Sequence, residues 1–391
     1  MSVQSAGAII VGGGVVGMSL ALMLQRLTEG QQINNQPLVL MAQAALTRQQ
    51  NQPTRCYTLN QASVGTLASL GVQPEFIPFT EMQVCDLSAG ASFCYKAQEF
   101  GATSLGYTVG EHKLLQALQD QLASTNIINA AEFAAIERQG HEWQCADTAG
   151  CCYMAPLVCA ADGSHSQLAQ QVGLTERKTW DSGDTAIIAN LASDKEYAPV
   201  ARQWFSHAAG VVALLPDDAD SYSLVWSLPD ERAQQLMQLG SAAFAAELSA
   251  ACAGQAGRLT LLTDRAAFPV RTHLATSLVR NGVALTGNGA CTIHPLAGQG
   301  LNLSLWGLDL FQDCLRSHAV TDKALDSWQA RVLVVNLAYW SLMRNLRWTF
   351  RSTNPAIAWL RSQLIKQFFC RSLPASLVVD FAMHGIRLKT L

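Results

Sequence analysis

The residues best suited to chemistry lie in three short segments. The densest begins at Gly287-Asn288-Gly289 and continues as His294-Pro295-Leu296-Ala297-Gly298-Gln299-Gly300-Leu301-Asn302. Pro295 stiffens such a loop, and Gly298 and Gly300 let backbone N–H groups come close to a flat ring. A helix expected over about residues 299–315 would aim the positive end of its dipole at whatever lies there. A plain Gly/Pro loop explains neither the density nor the order of these residues. The second segment, Gly12-Gly13-Gly14-Val15-Val16-Gly17, is a GxGxxG. Gly12 permits the tight turn after a strand, Gly14 lets backbone approach a pyrophosphate, and Gly17 lets helix and strand pack closely. The third, Ala161-Asp162-Gly163-Ser164-His165-Ser166, follows an apolar run. Alone it reads as a turn. His294 is the one acid/base candidate inside a motif, although a His beside a Pro in a packed loop also reads as structural. The eight histidines show no metal-ligand pattern, and no GxSxG occurs.

These segments need a parallel sheet to carry them. Residues 7–11 read as a buried strand, 15–27 as a helix and 38–41 as a second buried strand, a βαβ unit. The acid that usually ends the second strand and holds a ribose is absent: Ala42 and Gln43 stand there. Gln43 offers one hydrogen bond in its place. Residues 157–161 and 283–286 return to the same sheet. Between them, 185–189, 211–215 and 223–227 alternate as the strands of a second, mixed sheet do. The expected class is α/β with an α+β substrate layer. A Rossmann-type nucleotide domain (1–75, 108–180 and 276–330) is interrupted by a substrate domain (76–107 and 181–275). A basic helical region follows (331–391).

Composition bounds the alternatives. With 391 residues, 49% of them apolar and 14% charged, the chain can bury the cores of two or three domains. A net charge of −3 gives no reason to expect a nucleic-acid partner. Eleven cysteines at irregular spacing, without a CxxC, suit free thiols in a reducing cytosol. Residues 6–24 carry no charge, but glycines interrupt the run, and a buried strand and helix explain it better than a membrane span or signal peptide. Beyond residue 330, nine basic residues face one acid, a charge of +8 that leaves −11 for the rest. Trp340, Trp348 and Trp359 lie among them. Two readings stay open there: a helical cap with a solvated positive face, or contact with an anionic membrane or an acidic partner.

Taken together, the motifs resemble the FAD monooxygenases of the para-hydroxybenzoate hydroxylase class, most of all the ubiquinone-biosynthesis hydroxylases. That group's segment reads close to GDAAHxIHPLAGQGxNLG, and its members also carry an ADG-x-x-S. Arg55 with Tyr57-Thr58-Leu59-Asn60, then Leu105-Gly106-Tyr107, Gln203-Trp204-Phe205, Leu214-Leu215-Pro216 and Ser223-Leu224-Val225-Trp226-Ser227 extend the likeness. The resemblance implies FAD as cofactor, with NAD(P)H or another donor as its reductant. It implies a polyprenyl phenol or another aromatic small molecule as substrate. It puts Arg55 near the pyrophosphate or ribitol, Asp162 and Asn288 beside the ribitol and phosphates, and Pro295 through Asn302 along the isoalloxazine. His294 would assist phenol deprotonation. A cytoplasmic protein is implied, with peripheral contact on the inner face of the membrane, or with a quinone-biosynthesis assembly, as a role for the C-terminal region.

Several positions depart from the pattern: Ala42, Gly110-Glu111 where Glu-Asn is usual, Asn288 for a frequent Asp, and Cys291 for a frequent His. They motivate two alternatives. One is a weakly catalytic or non-catalytic scaffold subunit; the other is a flavin hydroxylase of a soluble aromatic acid.

Overall fold

The computed structural model describes residues 3–29, 36–42, 52–195, 198–217, 221–318 and 320–364. Ala8–Val11 is apolar at every position, so it can lie only where both faces of a sheet are covered. It is wholly buried at the centre of a six-stranded sheet. Five strands run parallel in the order Val283–Leu285, Val158–Ala160, Ala8–Val11, Leu38–Met41, Ile128–Ala130, and Val279–Arg280 closes one edge antiparallel. The helix Val15–Glu29 packs its Leu20, Met23, Leu24 and Leu27 into the same core.

A second sheet has nine strands and is mixed. From Ala266–Ala275 it passes through Arg177–Ser193, Ser221–Pro229, Gly210–Asp217 and Val200–Ser206, all antiparallel, then pairs parallel with Glu81–Asp86. The expected boundary at residue 180 therefore falls inside the strand Arg177–Ser193. Ile187, Leu224 and Trp226 on one face pack against Phe244 and Leu248 of the helix Ser241–Ala251. On the other side, Phe205 and Leu274 share a core with Ile293, Leu296, Val335 and Tyr339. Two smaller sheets complete the fold. Val3–Ser5, Cys152–Ala155, Glu142–Asp147 and Phe133–Gln139 form one; Cys56–Leu59, Gly106–Gly110 and Ile77–Phe79 form the other. Cys152 lies half-buried in a strand and Cys151 just before it.

The helix Asp322–Arg351 spans the expected boundary at residue 330. Thr321 caps its start by accepting the Ala324 N–H, and apolar residues recur on its inner face. Its first half packs Leu325 and Trp328 into the nucleotide-sheet core, and its second half packs Val335, Tyr339 and Met343 against the nine-stranded sheet. One helix thus bridges both layers. Among the described residues, no helix is long and apolar enough to cross a membrane.

Candidate functional site

The carboxyl ends of three adjacent parallel strands carry all three glycine-containing segments. Ligands bind at this end of open α/β sheets. Gly12 follows Ala8–Val11 with φ +122°, a value L side chains rarely adopt, and its N–H donates to Met41 O at 2.9 Å. A Cβ on Gly17 would lie 1.9 Å from Gly12 O, so helix and turn meet in direct backbone contact. A Cβ on Gly14 meets nothing within 4 Å, so open space lies over it. A Cβ on Gly13 would lie 2.6 Å from the Ala42 Cβ. Gln43 lies outside the described residues.

Asp162 follows Val158–Ala160. Its Oδ2 accepts the Leu168 N–H at 3.3 Å, while its Oδ1 is buried with no partner. Next in the sheet, Thr286 gives both its N–H and its hydroxyl to Ala160 O, at 2.9 and 3.0 Å, which fixes the start of Gly287-Asn288-Gly289. Asn288 is exposed. Behind it His273, buried, places Nε2 3.2 Å from Gly289 O, and burial holds its imidazole below the ordinary range against that carbonyl. No local pattern in the sequence singled out His273.

Across the site, Arg55 is half-exposed. Its guanidinium lies 5.8 Å from the Phe268 ring and 4.0 Å from Glu111. Glu111 also accepts the Tyr57 hydroxyl at 2.5 Å, and burial first, then this carboxylate, push the Tyr57 phenol up. The unusual Glu111 is thus the partner of Tyr57. Cys291 has an equally plain role. It is buried in the core beneath the long helix, which pushes its thiol up to about 12.

The expected ring-binding loop divides into two kinds of residue. Pro295 is exposed and opens a short 3-10 turn ending at Gly298, φ +61°. Gly298 N–H donates to Pro295 O at 3.0 Å, and a Cβ there would come 3.1 Å from Thr58 Cβ. Its N–H is therefore used by the turn, and its missing side chain leaves room for Thr58. Asn302 is also turned inward. Its Oδ1 accepts the Asn60 N–H at 3.0 Å, and its Nδ2 donates to Thr58 O at 3.0 Å and Gln299 Oε1 at 3.3 Å. It ties Gly300–His318 to the strand Cys56–Leu59. Gly300, with open space where a Cβ would be, starts that helix, and Leu301 after it is buried.

His294 is buried, and its Nε2 lies 3.3 Å from Asp184 Oδ2. The same oxygen accepts Arg347 Nε at 2.5 Å, and Oδ1 accepts Arg351 Nη1 at 3.1 Å. Arg347 also donates to Ser182 O. Burial alone would raise the Asp184 carboxyl, but His294 and the two guanidinium groups outweigh it and hold it at about 2. Burial lowers the His294 imidazole more than Asp184 raises it. Around this hub lies a small cleft between the nine-stranded sheet, His294, Leu296 and the long helix. Phe205 and Phe350 stack at its wall, ring centres 3.9 Å apart.

The same contacts take two of the C-terminal arginines, Arg347 and Arg361, out of the expected solvated face. Arg347 is half-buried against Asp184 and lies over the Trp180 ring. Arg361, 4% exposed, pairs with Asp86 at 2.5 Å. Arg344 covers Trp180 and Trp340. Lys366, Arg371, Arg387 and Lys389 lie outside the described residues.

The donors and acceptors present fit FAD. The buried, unpartnered Asp162 Oδ1 can take a ribityl hydroxyl, and the open backbone at Gly14 and the helix start beside it suit a diphosphate. A family model described as FAD binding domain matches residues 5–307. The 3-demethoxyubiquinol 3-hydroxylase of Escherichia coli (strain K12) is 30% identical over 324 residues, 81% of this chain and 81% of that one. Ubiquinone hydroxylase UbiL of Rhodospirillum rubrum is 28% identical over 307 residues, 77% of this chain and 70% of that one. Among solved structures, PqsL, a probable FAD-dependent monooxygenase from Pseudomonas aeruginosa, superposes with TM-score 0.74 at 19% identity, covering 92% of this chain and 99% of that one. Klebsiella pneumoniae HpxO complexed with FAD and uric acid gives TM-score 0.74 at 16% identity, over 98% and 96% of the two chains. The structural likeness speaks to the fold; the family match and the 30% relative speak to kinship. The chain belongs to the FAD-binding-domain family and is an FAD-dependent monooxygenase.

Proposed function

We propose that the protein hydroxylates the aromatic ring of a polyprenylated phenol or quinol in ubiquinone biosynthesis, with NAD(P)H as reductant. The observation that carries this reading is the 30% identity to a demethoxyubiquinol hydroxylase across four-fifths of both chains. When bound, FAD supplies the oxygen-activating chemistry that inserts one atom of O₂ into an electron-rich ring. The chain's own residues do the rest. Gly12, Gly14, Gly17 and Asp162 seat the dinucleotide, with Arg55 and Asn288 beside it. Pro295, Gly298, Gln299, Gly300 and Leu301 shape the wall for the flavin ring, and Asn302 braces that wall. Leu296, Phe205 and Phe350 offer apolar surface to the substrate and exclude water, and His294 takes a phenolic proton.

A peripheral site on the cytoplasmic side of a membrane suits a lipid substrate. Exposed Val334, Leu337, Leu342 and Trp348 on the long helix, with Trp359 and Leu360 beyond it, supply apolar surface for such contact. A second reading, hydroxylation of a soluble aromatic acid, is favoured by one observation. Two guanidinium groups share the single Asp184 carboxylate beside the cleft, and Arg351 remains 42% exposed.

The test is turnover of purified, FAD-loaded protein with NAD(P)H, ¹⁸O₂ and either a polyprenyl phenol or a benzoate-type acid. Labelled product from the lipid phenol is expected. Product from the acid alone would replace the first reading with the second. FAD retention with no product from either, together with rescue of a hydroxylase-deficient assembly, would identify a scaffold.

A further inference from the structure

We propose that Asp184, held by Arg347 and Arg351 of the helix Asp322–Arg351, is a positioning residue that fixes His294 with its proton on Nε2, leaving the Nδ1 lone pair to accept the substrate's phenolic proton. This rests on the phenol reading above. Three donors converge on one carboxylate: His294 Nε2 at 3.3 Å and Arg347 Nε at 2.5 Å on Oδ2, and Arg351 Nη1 at 3.1 Å on Oδ1. A carboxylate offers only acceptors, so the imidazole nitrogen facing it must carry the hydrogen. The alternative tautomer would set two lone pairs against each other in a buried site. Only a protonated Asp184 would relieve that clash, and two guanidinium groups oppose its protonation.

The other ring nitrogen completes the case. His294 is 1% exposed, and its Nδ1 is buried with no hydrogen-bond partner. Buried polar atoms are nearly always satisfied, and His294 is among the residues lining the cleft, so its lone acceptor points to a donor that arrives with a ligand. A phenol hydroxyl is such a donor. In the step, the phenol O–H bond breaks and the proton passes to Nδ1. The phenolate keeps the electron pair, which raises the electron density of the ring. The resulting imidazolium is stabilised through Nε2–H by Asp184. After oxygen insertion the proton returns from Nδ1 to the phenolate oxygen of the product. Asp184 does not itself take the proton, as in other carboxylate-histidine pairs.

The helix beyond residue 330 is then part of the active centre, because it supplies the two cations that keep Asp184 ionised.

The test uses ¹⁵N-histidine-labelled full-length protein, with the His294 signal assigned by its loss in His294→Gln. In the wild type, Nε2 is expected to carry the proton and Nδ1 to be bare. In Asp184→Asn the amide oxygen remains on the side shared by His294 and Arg347, so the tautomer persists. The anion behind the ring is gone, and kcat should fall at least about 10-fold with KM nearly unchanged, a part of the ~10²–10⁴-fold a positioned base contributes. Asp184→Ala should lose the single tautomer as well. Binding of 4-nitrophenol to the FAD-loaded protein reports proton transfer by colour: the wild type should favour its phenolate, and both variants should do so less. Asp184→Asn keeps the shape of the site, so the reading survives a failure of Asp184→Ala to fold. A proton on Nδ1 in the wild type would overturn the proposal. So would an Asp184→Asn protein with full kcat and unchanged nitrophenol ionisation. A wild type with the expected tautomer that converts no phenol would count against the substrate reading alone.

Discussion

Replacing Asp162 by Asn separates cofactor binding from folding. The carboxylate has one partnered oxygen, Oδ2 on the Leu168 N–H at 3.3 Å, and one buried oxygen without a partner. A carboxamide keeps the first contact through its oxygen. It replaces the lone acceptor with an NH₂ group, which cannot accept a ribityl hydroxyl. Hydrogen bonds to a charged group contribute about 1.5–3 kcal/mol, which corresponds to a roughly 10- to 150-fold weaker FAD complex. The FAD-free protein should be no less stable, because an uncompensated buried anionic oxygen has been removed. Titration of FAD into stripped protein, followed by flavin fluorescence, gives the dissociation constant; thermal melting of the stripped protein gives the stability. FAD affinity within about 2-fold of wild type would refute the reasoning. A lower melting temperature without FAD would show instead that the carboxylate serves the fold through Leu168.

Other substitutions probe the scaffold. Gly17→Ala puts a methyl group 1.9 Å from Gly12 O, where only backbone movement can relieve it, and should cost more than about 3 kcal/mol by urea unfolding and abolish FAD retention. Asn302→Ala leaves Asn60 N–H and Thr58 O without their buried partner, a loss of about 2 kcal/mol or more that denaturation detects without FAD present. The Asp184 carboxyl is held at about 2 against an ordinary 3.8, so its stabilisation is present above pH 3.8 and lost as pH falls towards 2. The difference in unfolding free energy between wild type and Asp184→Asn should therefore be constant near neutrality and shrink across that window.

The nucleotide half of the site was legible because its chemistry is local. A strand, a GxGxxG and a helix follow one another within 22 residues, and steric limits on glycine act over one or two bonds. The helix after Gly300 and the strands around Asp162 and Asn288 follow from the same contiguous patterns. The four-stranded sheet was not foreseen, although Glu142–Asp147 alternates half-buried and buried residues along its length. Three of its strands form a local antiparallel meander over residues 133–155, but the fourth, Val3–Ser5, pairs in parallel with Cys152–Ala155 from far along the chain, and no local signal links those two.

Composition and motif order alone determined the Rossmann-type core, the mixed sheet that accompanies it and the glycine segments that the strand ends carry. They also raised His294 as a base without saying what would orient it. Only the tertiary structure decided that Asp184 stands behind its ring and that Arg347 and Arg351 stand behind Asp184. These contacts join residues 110, 163 and 167 positions apart. Their energy comes from burial and convergence in space, which no spacing along the chain encodes. For the same reason the arginines of the last helices looked like a solvated face in the sequence, yet Arg347 and Arg361 fold inward onto buried carboxylates.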